Sequence, residues 1–183
     1  MPFAVATFPT QRASLEELAR LIAKASVHPA IVKAARAITM DCPRGADECQ
    51  LEAIYNAVQF GTNRVAELRD GLKYIDDPAL ADFFTAPQKL LSEFCADGAC
   101  AADCDEHGLL CGALASAIGF EVGMQAWGES KDELVHVYAV VGVPKHDPPE
   151  DFADWYGRDT TTDYGPGWKP ESGYYETAIA EAS

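Results

Sequence analysis

Basic residues are scarce in this chain. Fourteen Lys and Arg stand against 29 Asp and Glu over 183 residues, a formal net charge of −15. A field of that sign repels polyphosphates and anionic surfaces, so the sequence predicts no nucleic-acid partner and no membrane partner. Long apolar runs are also missing: none approaches the roughly 20 residues that span a bilayer. The opening stretch MPFAVATFPTQR carries no basic segment ahead of a long apolar one. No signal peptide is therefore expected, and a reducing compartment is the expected surrounding. Internal repeats and long low-complexity segments are absent. What is present is ordinary for a globular protein, with 48% hydrophobic and 23% charged residues, which excludes disorder as a description of the whole chain. A chain this long buries roughly 70% of its extended surface, enough for its own core.

The first 60 residues read as helices. Ser14 and Glu17 have capping-box spacing, and Leu15, Leu18, Leu21, Ile22 and Ala25 follow at helical intervals. His28-Pro29 interrupts, because the residue before proline is driven out of the helical region. A second helix is expected through Ile31, Ala34, Ala35 and Ile38, and a third, capped near Asp47, carries Leu51, Ile54, Tyr55 and Val58. Leu72 and Tyr74 suggest a short extended piece closed by a turn at Asp76-Asp77-Pro78, and Pro87 opens a helix running to Phe94. Asp103 is suited to cap a helix from Cys104 to Ile118, with Gly119 placed to stop it. Strands are expected over Phe120–Trp127, Leu134–Val143 and Trp155–Thr161, with a charged hairpin loop at Gly128–Glu133. The chain is thus α+β, with N-terminal helices packed on an antiparallel sheet. It divides into a helical region 1–60, a core 61–170 and an extended tail 171–183 within one compact domain.

The six cysteines are Cys42, Cys49, Cys95, Cys100, Cys104 and Cys111, separated by six, forty-five, four, three and six residues. Zinc sites favour paired short spacings, and these gaps are irregular, leaving Cys95, Cys100, Cys104 and His107 as a geometrically conceivable ligand set. No metal is assigned. A Cys42–Cys49 disulfide requires an oxidising medium, and burial as small apolar side chains is the expected role of most of these thiols.

Cys104 differs because it sits at the first position of a capped helix. Unpaired N–H groups and the helix dipole there favour thiolate and can stabilise an oxyanion. Asp103, Asp105 and Glu106 work against this. A general base is required, and His136 lies in the strand-forming run Glu133–Val141, where alternation groups it with Tyr138 and Val140 and puts Val135, Val137, Ala139 and Val141 on the opposite face. His28, His107 and His146 are less well placed. Asp159, 23 residues beyond His136, is positioned to orient an imidazole from a neighbouring strand.

Asp103-Cys104-Asp105-Glu106-His107-Gly108, followed by Val135-His136-Val137-Tyr138 and Gly157-Arg158-Asp159-Thr160, resembles the transglutaminase-like cysteine enzymes, whose core is papain-like. The stretch Tyr74–Pro78 and Thr85–Leu91 is similar to the approach segment of phage and prophage members, and Ala102 stands where members usually have Gly. The resemblance implies a papain-like core with Cys104 as nucleophile, His136 as base and then acid, and Asp159 as its orienting partner. It implies acyl transfer on peptide amides through a thioester, with no cofactor and a peptide or protein as substrate. The Cys104 amide would be one oxyanion donor, with Tyr74 and Trp127 as candidates for the second or for substrate contact. The setting implied is phage or prophage, either in the cytoplasm of a bacterial host or associated with a virion. Two other readings remain open: an assembly component contacting virion proteins and retaining the fold, and a zinc-stabilised binding module.

Overall fold

A computed structural model describes residues 10–75, 84–95 and 100–181. Three helices come first: α1 (Gln11–Ser26), α2 (Pro29–Ile38) and α3 (Asp47–Gln59). The start of α1 departs from expectation. Thr10 caps it by accepting from the Ala13 amide at 3.1 Å, so Ser14 lies inside the helix and Glu17 pairs with Arg20 instead of reaching back. His28 caps α2 through Nδ1, and proline takes the first helical position. Asp47 starts α3 without capping it; its carboxylate accepts from the Lys145 amide at 2.8 Å and ties α3 to the far half of the chain.

A short strand β1 (Leu72–Tyr74) runs parallel to β2 (Cys100–Ala102). Between them, α4 (Pro87–Lys89) continues into a single wider turn, Leu90–Phe94. The turn expected at Asp76-Asp77-Pro78 lies outside the described residues. Helix α5 (Cys104–Ala117) is bounded as the sequence indicated. Asp103 accepts from the Asp105 and Glu106 amides, and Gly119 takes φ +94° beyond the last turn.

The main sheet is antiparallel, in the order β5-β4-β3-β6, with β3 (Val122–Ser130), β4 (Glu133–Val141), β5 (Tyr156–Arg158) and β6 (Tyr174–Ile179). The charged hairpin is tighter than expected, since strand pairing continues to Ser130 and Glu133. Beyond 170 the chain is not a tail: β6 pairs with β3 along its whole length, Gly123 opposite Ile179 to Gly128 opposite Tyr174. Most of its residues are half-buried at the sheet's edge, with only Ala178 fully buried, which explains the weak periodicity that hid it.

One apolar core unites the helical region with the rest. Leu109, Leu110, Cys111, Ala113, Leu114 and Ala115 of α5 are fully buried among Leu15, Leu18 and Ile22 of α1, Ile31 of α2, Leu51 and Ile54 of α3, and Met124, Ala139 and Val141 of the sheet. A smaller cluster of Tyr138, Val140 and Trp155 covers the other sheet face. Alternation on β4 therefore holds from Val137 to Val141. It fails at Val135, which is 67% exposed, because the register with β3 slips there: His136 pairs with Trp127 and Leu134 with Gly128, leaving Val135 as the extra residue.

Close approach of α5 to its neighbours depends on glycine. A Cβ at Gly112 would stand 2.7 Å from Ile22 Cδ1 and 3.1 Å from Val122 Cγ1. Gly112→Val should therefore overpack the α1–α5–β3 contact and cost about 2 kcal/mol, read as a lowered denaturation midpoint at constant slope. An unchanged midpoint would mean that α5 does not sit this tightly on α1.

Candidate functional site

The first turn of α5 presents Cys104. Asp103 already occupies the amides of Asp105 and Glu106, so the Cys104 amide is the N–H of that turn left for a ligand oxygen. On the thiol, burial and charge outweigh the helix dipole. Burial first, then Asp105 and Asp103, push Cys104 up to about 12, against the opposing pull of the Val137 amide and its own. Sγ lies 3.9 Å from Asp105 Oδ1. At neutral pH such a raised group rests as the thiol. The expected resting thiolate is thus replaced by a thiol that must lose its proton during attack.

Glu106 does not add to this repulsion. It is buried, accepts from the Thr85 amide at 2.9 Å, and is pushed up to about 9 by burial and by its hydrogen bond with Asp103. Its raised carboxyl favours the protonated form beside Asp103.

His136 and Asp159 are brought together. Nε2 stands 2.7 Å from Asp159 Oδ2, with the imidazole one-fifth exposed and the carboxylate buried. Asp159 is held below the ordinary carboxylate range despite its burial, because His136 and the Thr161 hydroxyl and amide all donate to it or oppose its charge. It therefore stays ionised through neutral pH and fixes the imidazole's orientation.

Sheet geometry explains how this dyad and Cys104 meet the same strand. β5 ends at Arg158, opposite Ala139, so β4 from His136 to Tyr138 has no strand partner on that side among the described residues. The Val137 amide on that stretch faces the Cys104 sulfur, and His136 is the adjacent residue. The structure thus joins His136 to Asp159 by a direct contact, and relates Cys104 to them through the backbone of β4 and not through a Cys104–His136 hydrogen bond.

Other expectations fare differently. Tyr74 is half-exposed and stands opposite Ala102, two residues before Cys104, with its ring 6.4 Å from that of His107. Trp127 pairs with His136 across the sheet, but its indole N–H donates to the Ser172 carbonyl at 2.7 Å and is not free for an oxyanion. Its ring remains a surface beside His136. The cysteine reading needs the larger correction: Cys42–Cys49 and Cys95–Cys100 are disulfides, leaving Cys104 and Cys111 free. Pairing of Cys95 with Cys100 removes the zinc ligand set, and no metal-binding cluster occurs among the described residues. His107, the remaining member, is buried, and its Nδ1 lies 2.9 Å from Thr160 Oγ1. Burial lowers it to about 4, against the charges of Asp159 and Asp103 and the Lys73 carbonyl. Thr160 lies in the Gly157–Thr160 stretch that carries the resemblance, but the sequence gives it no role of its own. No described helix is long and apolar enough to cross a membrane.

The thiol's environment is testable. Asp105→Asn removes the carboxylate with the larger influence on the sulfur, so Cys104 alkylation by iodoacetamide near pH 8 should accelerate about tenfold over a slow wild-type rate. Peptide mapping reads the site. A fast wild-type reaction, unchanged in Asp105→Asn, would contradict the raised thiol.

Comparison with family models, with curated proteins and with solved structures finds no match for this chain.

Proposed function

We propose that this protein is a thiol acyl-transfer enzyme of the transglutaminase-like kind, acting on peptide amides with Cys104, His136 and Asp159. The observation that carries the reading is the 2.7 Å His136–Asp159 contact on the strand whose next amide faces the Cys104 sulfur. His136 takes the thiol proton as sulfur attacks the amide carbonyl, and the buried Asp159 carboxylate stabilises the imidazolium. The Cys104 amide donates to the developing oxyanion. His136 then protonates the departing amine, leaving a thioester that water or a second amine resolves. Hydrolysis is the favoured outcome, because water is always present whereas an amine needs its own groove. The nucleophile at a helix start packed against an antiparallel sheet supports a papain-like core. The two disulfides support a site of action in an oxidising medium, including a released virion, over the reducing cytoplasm.

A raised thiol supports a second reading, a virion assembly component that keeps the arrangement without turnover. Incubation with a mixed peptide library, with newly released amines quantified by labelling, separates the two. Release by wild type and silence of Cys104→Ala supports the enzyme; no release by either supports the assembly component.

A further inference from the structure

After β5 ends at Arg158, the chain that carries Asp159 leaves the sheet. It has no ladder bonds to β4 to fix its height beside His136, so its position depends on side-chain bonds. Asp159 Oδ1 receives the Thr161 amide at 3.0 Å and hydroxyl at 2.6 Å, which shapes a local turn but anchors it to nothing else. Further along, the Thr162 carbonyl accepts from Gln59 Nε2 at 2.7 Å and from the Tyr55 hydroxyl at 3.3 Å, both on α3. The residue directly after Asp159 makes the contact that matters for alignment. Thr160 is 3% exposed, and its hydroxyl lies 2.9 Å from Nδ1 of His107, itself 1% exposed. His107 is three residues past Cys104, just under one turn along the same helix.

We infer that His107 and Thr160 are a positioning pair for acyl transfer: their buried hydrogen bond locks the Asp159 segment to the helix that presents Cys104. Neither residue touches the reacting atoms. With either tautomer of a neutral His107 the contact is a hydrogen bond, since the Thr160 hydroxyl both donates and accepts. Both ends are buried, so losing one partner leaves the other unsatisfied, and the acid segment has to shift to reach water. A rigid helix and an otherwise unladdered acid are thereby registered to one another, which is where a small misplacement is most damaging to rate.

This inference rests on the proposed function, and its test is arranged to fail separately from it. Thr160→Val keeps the shape and removes the hydroxyl, Thr160→Ser keeps the hydroxyl, and His107→Asn can retain a donor near the Nδ1 position. In peptide turnover, Thr160→Val should lower kcat about tenfold with KM unchanged, while Thr160→Ser and His107→Asn should recover most of the loss. Carbon NMR titration of the Asp159 side-chain carboxyl needs no substrate. In Thr160→Val its midpoint should rise by about 0.5 pH or more toward the free-carboxylate value, and in Thr160→Ser it should not. An Asp159 midpoint unmoved in Thr160→Val, in a protein that melts as wild type does, overturns the positioning role whether or not a substrate is turned over. Equal losses in Thr160→Val and Thr160→Ser overturn it too. Should Thr160→Val not fold, the carboxyl titration of His107→Phe, which removes the same bond from the other side, decides: a raised midpoint upholds the pair, and a wild-type midpoint in a folded protein rejects it.

Discussion

Replacing either Cys104 or His136 with alanine should abolish acyl transfer, lowering kcat/KM by at least about 10⁴, and the double variant should be no worse than either alone. Sulfur supplies the electrons for the new bond, and the imidazole must take its proton. With the thiol raised to about 12, the reaction has no standing thiolate to fall back on. This makes the dependence on His136 steeper than in a site with a preformed ion pair. Asp159→Ala should be milder, retaining measurable turnover, because it removes the 2.7 Å contact that orients the ring but neither the nucleophile nor the base. Steady-state kinetics on any peptide found in the library screen reads all three. Full activity in His136→Ala would remove His136 as base. His107 could not easily replace it, being buried and hydrogen-bonded to Thr160.

Reduction should destabilise the protein strongly. Each disulfide closes a short loop, with sequence separations of seven and five, for which loss of the constraint costs about 2 kcal/mol in the chain-entropy picture. Opening both should cost about 4 kcal/mol and lower Tm by roughly 10 °C for a chain of this size. Melting with and without a dithiol, with the thiols then blocked, measures it. The non-reduced, denatured protein should titrate two thiols, Cys104 and Cys111. Six titratable thiols, or an unchanged Tm on reduction, would contradict the pairing.

Legibility in the sequence followed the range of the physics involved. Helix α5 was readable because its determinants are local: Asp103 caps it and Gly119 ends it within the segment itself. The face assignment on β4 was readable from Val137 to Val141 for the same reason. Val135 was not, since a register slip against β3 is decided by the partner strand. Strand β6 exists because β3 offers an edge to pair with, and Tyr174–Ile179 alone carries too little apolar alternation to announce that. Capping by Thr10 displaced Ser14 by one turn, a choice between two competent residues that local spacing did not separate.

The site divides in the same way. Cys104, His136 and Asp159 stand out by residue type and order, and the structure brings two of them, His136 and Asp159, into contact. The charge state of Cys104 was not recoverable. It depends first on burial, which only the packed structure reveals, and then on the approach of Asp105 and Asp103 to the sulfur. The role of Thr160 was not legible because its partner, His107, lies 53 residues away. The disulfides were not legible because the sequence points to a reducing medium, where thiols stay unpaired, and the Cys95–Cys100 spacing alone carries no pairing signal.

The central claim is that Cys104 forms a thioester with His136 as its base. Intact-mass measurement after brief exposure to a p-nitrophenyl acyl ester, quenched in acid, tests it most directly. The account predicts one acyl adduct, mapped to Cys104, cleaved by hydroxylamine, and formed at least about 10³-fold more slowly in His136→Ala. An adduct that forms as fast in His136→Ala, or none on Cys104 in the folded wild-type protein, would contradict it.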